Sequence, residues 1–203
     1  MKYNRKVGIM GGTFNPIHIG HLIMAENAYE QFELDEVIFM PSKNPPHKLN
    51  QVIISDSHRL NMVREAINDN PHFSISTLEI DREGITYTAD TLRTLTEENP
   101  NTEYYFIIGA DSFFQIETWK EPEVIFSLSH IIAASRYQLS EEAMQEQVMH
   151  LSNKFKGKID LLSSPTIELS SKAIRTRMEE GKSVKYYVPA QVYRYILENR
   201  LYI

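Results

Sequence analysis

No cysteine occurs among the 203 residues, so disulfides, thiolate metal sites and a cysteine nucleophile are all excluded, in keeping with a reducing compartment. Long apolar runs are absent as well. None approaches the ~20 residues that a bilayer-spanning helix requires, and the polar start, Met1 to Lys6, precedes too short an apolar stretch for a signal peptide. A basic excess is also missing. Lys and Arg number 21 against 27 Asp and Glu, for a net charge of −6 and a pI near 5.7. Non-specific affinity for nucleic acid is carried by clustered cations, so a broad polyanion-binding surface is not expected. The expectation is a soluble cytoplasmic protein with neither nucleic acid nor membrane as partner. A small anionic ligand stays open, because a phosphate site needs only a few cations and backbone N–H groups converging locally.

With 42% hydrophobic residues the chain can bury one sizeable core, and its length predicts a single domain over residues 1–203. Short β-branched or aromatic runs alternate with amphipathic stretches from end to end, the pattern of a parallel sheet wrapped by crossover helices. Strands are predicted at Lys6–Met10, Glu36–Met40, Phe73–Ser76, Tyr104–Ile108, His130–Ala134 and Lys158–Leu162. Helices are predicted at Ile19–Phe32, Asp56–Asp69, Asp90–Glu98, Asp111–Ile116 and Ser140–Asn153, with Ser170–Glu180 and Ala190–Glu198 as a C-terminal helical segment. The fold class is therefore α/β, a Rossmann-like parallel sheet with helices on both faces. Gly181 stands where a helix C′ glycine belongs, and Pro189 opens the last helix. Pro45–Pro46 precludes regular structure within Pro41–Asn50, a loop placed past a strand end as a binding wall or lid.

The segment richest in chemistry runs from Gly11 to His21 between the first strand and first helix. Paired glycines, Gly11 and Gly12, allow a sharp turn and close approach of backbone to ligand. The helix begins near His18 or Ile19, so its N–H groups and positive dipole end face the strand tips. His18 and His21 share a helical face, which Gly20 keeps open. The same pair can also bind metal, but neither a carboxylate nor a third histidine lies nearby in sequence. A second segment, Leu169–Arg175, reads as a helix start with Ser170 at the cap. Ser170, Ser171 and Arg175 together make a phosphate cradle or, more plainly, an ordinary capped helix.

Gly12-Thr13-Phe14-Asn15-Pro16-Ile17-His18-Ile19-Gly20-His21 resembles the nucleotidyltransferase signature GTFDPxHxGH, and Leu169 to Arg175 resembles the second signature, ISSTxIR. Asn15 stands where Asp is usual and Lys172 where Thr is usual. The resemblance implies that His18, His21 and Arg175 act on the ATP phosphates. An acceptor phosphate then attacks the α-phosphorus and pyrophosphate leaves, with Mg²⁺ bound through the ATP phosphates. It extends the ATP site to Gly11, Gly12, Thr13, Phe14, Gly20, Gly109, Asp111, Ser170 and Ser171.

Three further segments are similar to bacterial nicotinate-nucleotide adenylyltransferases: Pro45-Pro46-His47-Lys48, Gly84 to Leu92 and Ile107 to Asp111, with Trp119-Lys120 just beyond. The acceptor so implied is nicotinic acid mononucleotide, and a homodimer stays open. Trp119, the sole tryptophan, suits a pyridine platform. Thr88 supplies donors to a carboxylate, Lys48 a cation, and Asn15 a polar contact. Asp111 either bonds ribose hydroxyls or caps its helix, and Asp90 is read as a cap. The competing readings are another acceptor, such as nicotinamide mononucleotide or phosphopantetheine, a non-catalytic nucleotide sensor, and a metal-dependent hydrolase.

Overall fold

The computed structural model describes residues 4–43, 53–135, 140–165 and 167–202. Six strands form one parallel sheet: β1 (Arg5–Gly12), β2 (Glu36–Pro41), β3 (Phe73–Ile75), β4 (Thr102–Gly109), β5 (Ser129–Ala134) and β6 (Ile159–Leu162). Their spatial order is β3-β2-β1-β4-β5-β6. The chain first winds outward through β2 and β3, then returns to the other side of β1 for β4. The crevice between β1 and β4 is thus the topological switch point, where an open α/β sheet accepts ligands beyond its carboxyl edge. All six predicted strands are present within two residues at each end.

Strand periodicity explains the two-sided core. Met10, Ile107 and Ile132 point to one face, where they meet α1 (Ile19–Gln31), α2 (Asp56–Ile67), α8 (Ser171–Glu179) and α9 (Ala190–Glu198). Val7, Ile9, Phe106 and Ile131 point to the other, against α4 (Thr88–Glu98), α6 (Pro122–Leu128) and α7 (Glu141–Phe155). Alternate residues of one strand necessarily feed opposite faces, so each strand contributes to both halves of the core. A Cβ on Gly8 of β1 would lie 2.9 Å from Leu34 Cδ1, so that side chain would have to shift to admit it.

Helix α8 ends as expected. Gly181 adopts φ +69°, its N–H donates to Met178 O, and the Lys182 N–H donates to Arg177 O, a Schellman stop. Pro189 opens α9 as expected, standing as its N-cap. Two expectations are corrected. The stretch Asp111–Ile116 is not one helix but α5 (Ala110–Phe113) followed by a 3₁₀ turn at Ile116–Thr118. Two short helices, α3 (Leu78–Asp81) and α6, were not predicted. No described helix is long and apolar enough to cross a membrane.

Candidate active site

Past the carboxyl end of β1 the chain does not turn at its glycines. Gly11 and Gly12 close the strand, paired with Met40 and Pro41, and the reversal is made by Phe14 at φ +48° and the cis Asn15–Pro16 bond. The glycines serve space instead: a Cβ on Gly12 would press to 3.1 Å on the Phe14 ring, and one on Gly20 to 3.2 Å on His18 Nδ1. Phe14 itself is buried and lies edge-on to His21, ring centroids 5.1 Å apart. The packing of one aromatic side chain thereby places the turn and steadies a histidine.

His18 is extended rather than helical, φ −145° and ψ 168°, and is the N-cap of α1. Its backbone N–H donates to His21 Nδ1 at 3.2 Å, and the two rings stack with centroids 3.7 Å apart. The histidines do share a face, as expected, but through a cap and a stack. The first-turn donors are less open than expected, since the Ile19 N–H goes to Tyr187 O and the His21 N–H to His18 O.

The second segment arrives from the far end of the chain and is joined to the first by two side chains. Ser171 Oγ donates to Pro16 O at 2.8 Å and Arg175 Nη1 to Asn15 O at 2.8 Å. Ser170 caps α8, its hydroxyl accepting the Ala173 N–H. One of the five guanidinium donors of Arg175 is thus committed to the loop while the side chain lines the same cleft.

That cleft has a volume of about 1230 Å³, above the usual range of ~300–1,000 Å³ for small-molecule sites. Gly11 to Asn15, His18, Gly20 and His21 line one side. Thr88, Gly109 and Trp119 line another, and Ser170, Ser171 and Arg175 a third. Asp111 stands exposed between the lining residues Gly109 and Ser112, in the first turn of α5 after its N-cap Gly109. Lys48 and the Pro45–Pro46 loop lie outside the described residues.

Helix α4 begins at the lining residue Thr88, with Tyr87, which also lines the cleft, as N-cap. Asp90 is not that cap. Its carboxylate pairs with Arg93 at 3.0 Å and Lys120 at 3.2 Å, and Arg93 also holds Glu121. This ionic cluster ties the loop bearing Trp119 to the start of α4, with Lys120 Nζ 4.5 Å from the centre of the Tyr87 ring. Trp119 is half-buried and edge-on to Phe106, centroids 6.2 Å apart, so it lines the cleft and also packs on the core.

Three residues of the site were not read from sequence. Arg59 is fully buried, donates to Thr13 O at 2.6 Å and pairs with Asp56. Tyr202, near the chain end, donates to Asn15 Oδ1 at 2.8 Å. Glu79 lines the cleft and accepts the Thr91 hydroxyl at 2.8 Å; burial pushes its carboxyl above the ordinary range, against the pull of Thr91 and the Arg82 charge. A buried arginine was detectable only through the Asp56–Arg59 helical spacing, and the tyrosine through no local signal.

The cytidylyltransferase-like family model matches residues 9–177. A protein of Lachnoclostridium phytofermentans named "Probable nicotinate-nucleotide adenylyltransferase" is 51% identical, over 98% of this chain and all of its own length. One of Desulfitobacterium hafniense with the same name is 43% identical, over 98% of this chain and 96% of its own. The nicotinic acid mononucleotide adenylyltransferase of Plasmodium falciparum, solved in complex with NaAD, shares the fold at a TM-score of 0.82 and 23% identity, over 98% of each chain.

Proposed function

The chain belongs to the cytidylyltransferase-like family and, within it, to the nicotinate-nucleotide adenylyltransferases, and from that premise we propose how its cleft works on ATP and nicotinic acid mononucleotide. The reaction is adenylyl transfer from ATP to nicotinic acid mononucleotide, giving nicotinic acid adenine dinucleotide and pyrophosphate, a step of NAD biosynthesis. An acceptor phosphate oxygen forms a bond to the α-phosphorus as the bond from that phosphorus to the bridging α–β oxygen breaks. Pyrophosphate carries away the electron pair. A phosphate monoester is already largely dianionic near neutrality, so the nucleophile needs no general base and the protein needs no covalent intermediate.

What remains for the protein is positioning and charge stabilisation. The observation that carries the reading is the joining of the two signatures: Ser171 and Arg175 of α8 are bonded to the Asn15–Pro16 turn that leads into His18 and His21. Two rings and a guanidinium from elements far apart in sequence thus line one cleft, which supports a joint role on the triphosphate. His18 and His21 bind the triphosphate and stabilise the departing pyrophosphate. Ser170, Ser171 and Arg175 form the other side of that phosphate cradle, and Gly11 to Phe14, Gly20, Gly109 and Asp111 complete the ATP side. Asn15, Thr88 and Trp119 receive the mononucleotide, with Lys48 as a further cation.

Among the described residues no group of three or more His, Asp or Glu side chains converges to hold a metal ion; Mg²⁺ riding on the triphosphate would spread its negative charge before attack. We take the whole chain to act as one domain, because both faces of the core share one sheet, and we place its activity in the cytoplasm. Pyrophosphate release from ATP and Mg²⁺ is the test, with nicotinic acid mononucleotide, nicotinamide mononucleotide and phosphopantetheine compared side by side. Preference for the acid supports the reading. Preference for another acceptor removes the roles given to Thr88 and Trp119, and release with none removes the enzyme assignment for these substrates.

A further inference from the structure

The last helix ends in a way that serves the front of the molecule. At the C-terminus of α9 the Arg200 N–H donates to Leu197 O at 3.2 Å and the Leu201 N–H to Ile196 O at 3.0 Å, a Schellman stop built without glycine. Arg200 takes φ +50° and Tyr202 φ +63°, a region that side chains disfavour. Two such residues within three positions need a compensating hold, and two are present. Leu201 is buried in the core beside Val192 and Ile196. Tyr202 delivers its hydroxyl to Asn15 Oδ1 at 2.8 Å.

Helix α9 is held in register behind the loop by a second tyrosine. Tyr195 OH lies 2.9 Å from His58 Nδ1 and accepts from Asn61 Nδ2 at 3.0 Å, both on α2. The same α2 carries Arg59, whose guanidinium holds Thr13 O. The C-terminal segment and α2 therefore form one support under residues 13–15. Burial raises the Tyr202 hydroxyl pKa despite the pull of the Arg175 and Arg59 charges, so the group stays protonated and able to donate.

The geometry assigns Tyr202 as a positioning residue for the acceptor, acting through Asn15. Asn15 lines the cleft and Tyr202 does not. With Oδ1 held by the tyrosine, the Asn15 side chain is fixed in one orientation at the wall of the cleft. The Asn15 backbone carbonyl is separately taken by Arg175, so main chain and side chain of this residue are anchored by different elements. An amide whose orientation is set in advance binds a polar substrate group without first losing rotamer freedom. The inference rests on the reading of Asn15 as a contact of the mononucleotide, and it ties the final residues of the chain to substrate affinity.

The test is a double-mutant cycle on the full-length protein with Tyr202→Phe, Asn15→Ala and both together, reading kcat, KM for nicotinic acid mononucleotide, KM for ATP and Tm. Tyr202→Phe removes one oxygen and no packing, and is expected to raise KM for the mononucleotide about fivefold, the factor of one neutral hydrogen bond. KM for ATP should stay within about twofold and Tm within a few degrees, the scale of one lost hydrogen bond. In the Asn15→Ala background the same change should have no further effect on KM. An equal effect in both backgrounds, an equal loss for both substrates, or a fall in Tm with unaltered kinetic constants would each overturn the assignment. Wild-type turnover distinguishes the two levels. Its absence with nicotinic acid mononucleotide sinks the functional reading and this inference together, whereas its presence with an uncoupled cycle sinks the inference alone.

Discussion

His21 accepts the backbone N–H of His18 at its Nδ1, 3.2 Å away, while the two imidazoles stack with centroids 3.7 Å apart. One ring nitrogen is thus occupied by the helix cap. The neutral ring then carries its hydrogen on Nε2, the atom suited to donating to a phosphate oxygen. In the proposed mechanism, cap and chemistry reside on opposite nitrogens of one side chain.

That division is separable by mutation. His21→Ala should lower kcat by on the order of 10²-fold and also cost about 1 kcal/mol of stability through the lost cap. His21→Asn places an amide oxygen near the Nδ1 position, so it should restore most of the stability and little of the turnover. Wild-type turnover in His21→Ala would remove the histidine from the mechanism.

Arg59 is a buried cation whose work is structural as well as electrostatic. Arg59→Met takes a charged donor from Thr13 O and the partner from Asp56. It should cost about 2 kcal/mol, seen as a fall in Tm of roughly 4–8 °C for a chain of this size. Arg59→Lys should recover part of that loss, since one cation can reach one acceptor but not both. A Tm unchanged in both variants would show that the Thr13 turn is held without it.

Trp119 divides its surface between the cleft and Phe106. Trp119→Ala should raise KM for the mononucleotide by about tenfold, equivalent to about 1.4 kcal/mol of lost stacking, while KM for ATP moves far less. Trp119→Phe should retain much of the affinity. Equal losses for both substrates would refute the stacking role and leave the core contact as its only use.

Glu79 predicts a pH dependence of known sign. Burial holds its folded-state pKa above the ordinary value of 4.5, so the folded protein binds that proton more tightly than the unfolded chain. The stabilising contribution is complete below the unfolded pKa and is lost as pH rises through the folded one. Glu79→Gln cannot suffer that loss. Its stability relative to wild type should therefore rise as the pH is raised from the ordinary value of 4.5 through the higher folded-state one, measured across that range as the difference in urea midpoints. A difference that stays flat across that range would mean the carboxyl is not penalised by burial.

Much of the fold is legible in the residues because the signals are local. Unbroken apolar runs along Val7–Met10 and Ile131–Ala134 state that both faces of a strand are covered, and the six strands lie where short β-branched or aromatic runs are found. Ser170 as a cap and Gly181 as a stop are equally local, and both hold. Helices α3 and α6 are too short, at four and seven residues, to display a period, although Pro122 at the start of α6 was a usable mark. Asp90 looked like a cap by its place in the first turn, but its partners Arg93 and Lys120 compete for the carboxylate, and Lys120 is thirty residues away.

The amino-acid sequence by itself determined the order of strands and helices, the glycine and histidine content of the loop after β1, and the resemblance that points to adenylyl transfer. These depend on residues close together in the chain, where backbone geometry and side-chain period act directly. Only the tertiary structure decided which distant groups meet that loop. Arg175 reaches Asn15 across 160 positions and Tyr202 across 187, with Arg59 beneath Thr13. Such pairings follow from how the helices pack on a twisted sheet, and no spacing in the chain encodes them. The reversal itself was decided there too: Phe14, not the glycines, turns the backbone, because its ring is buried against His21 and Phe39.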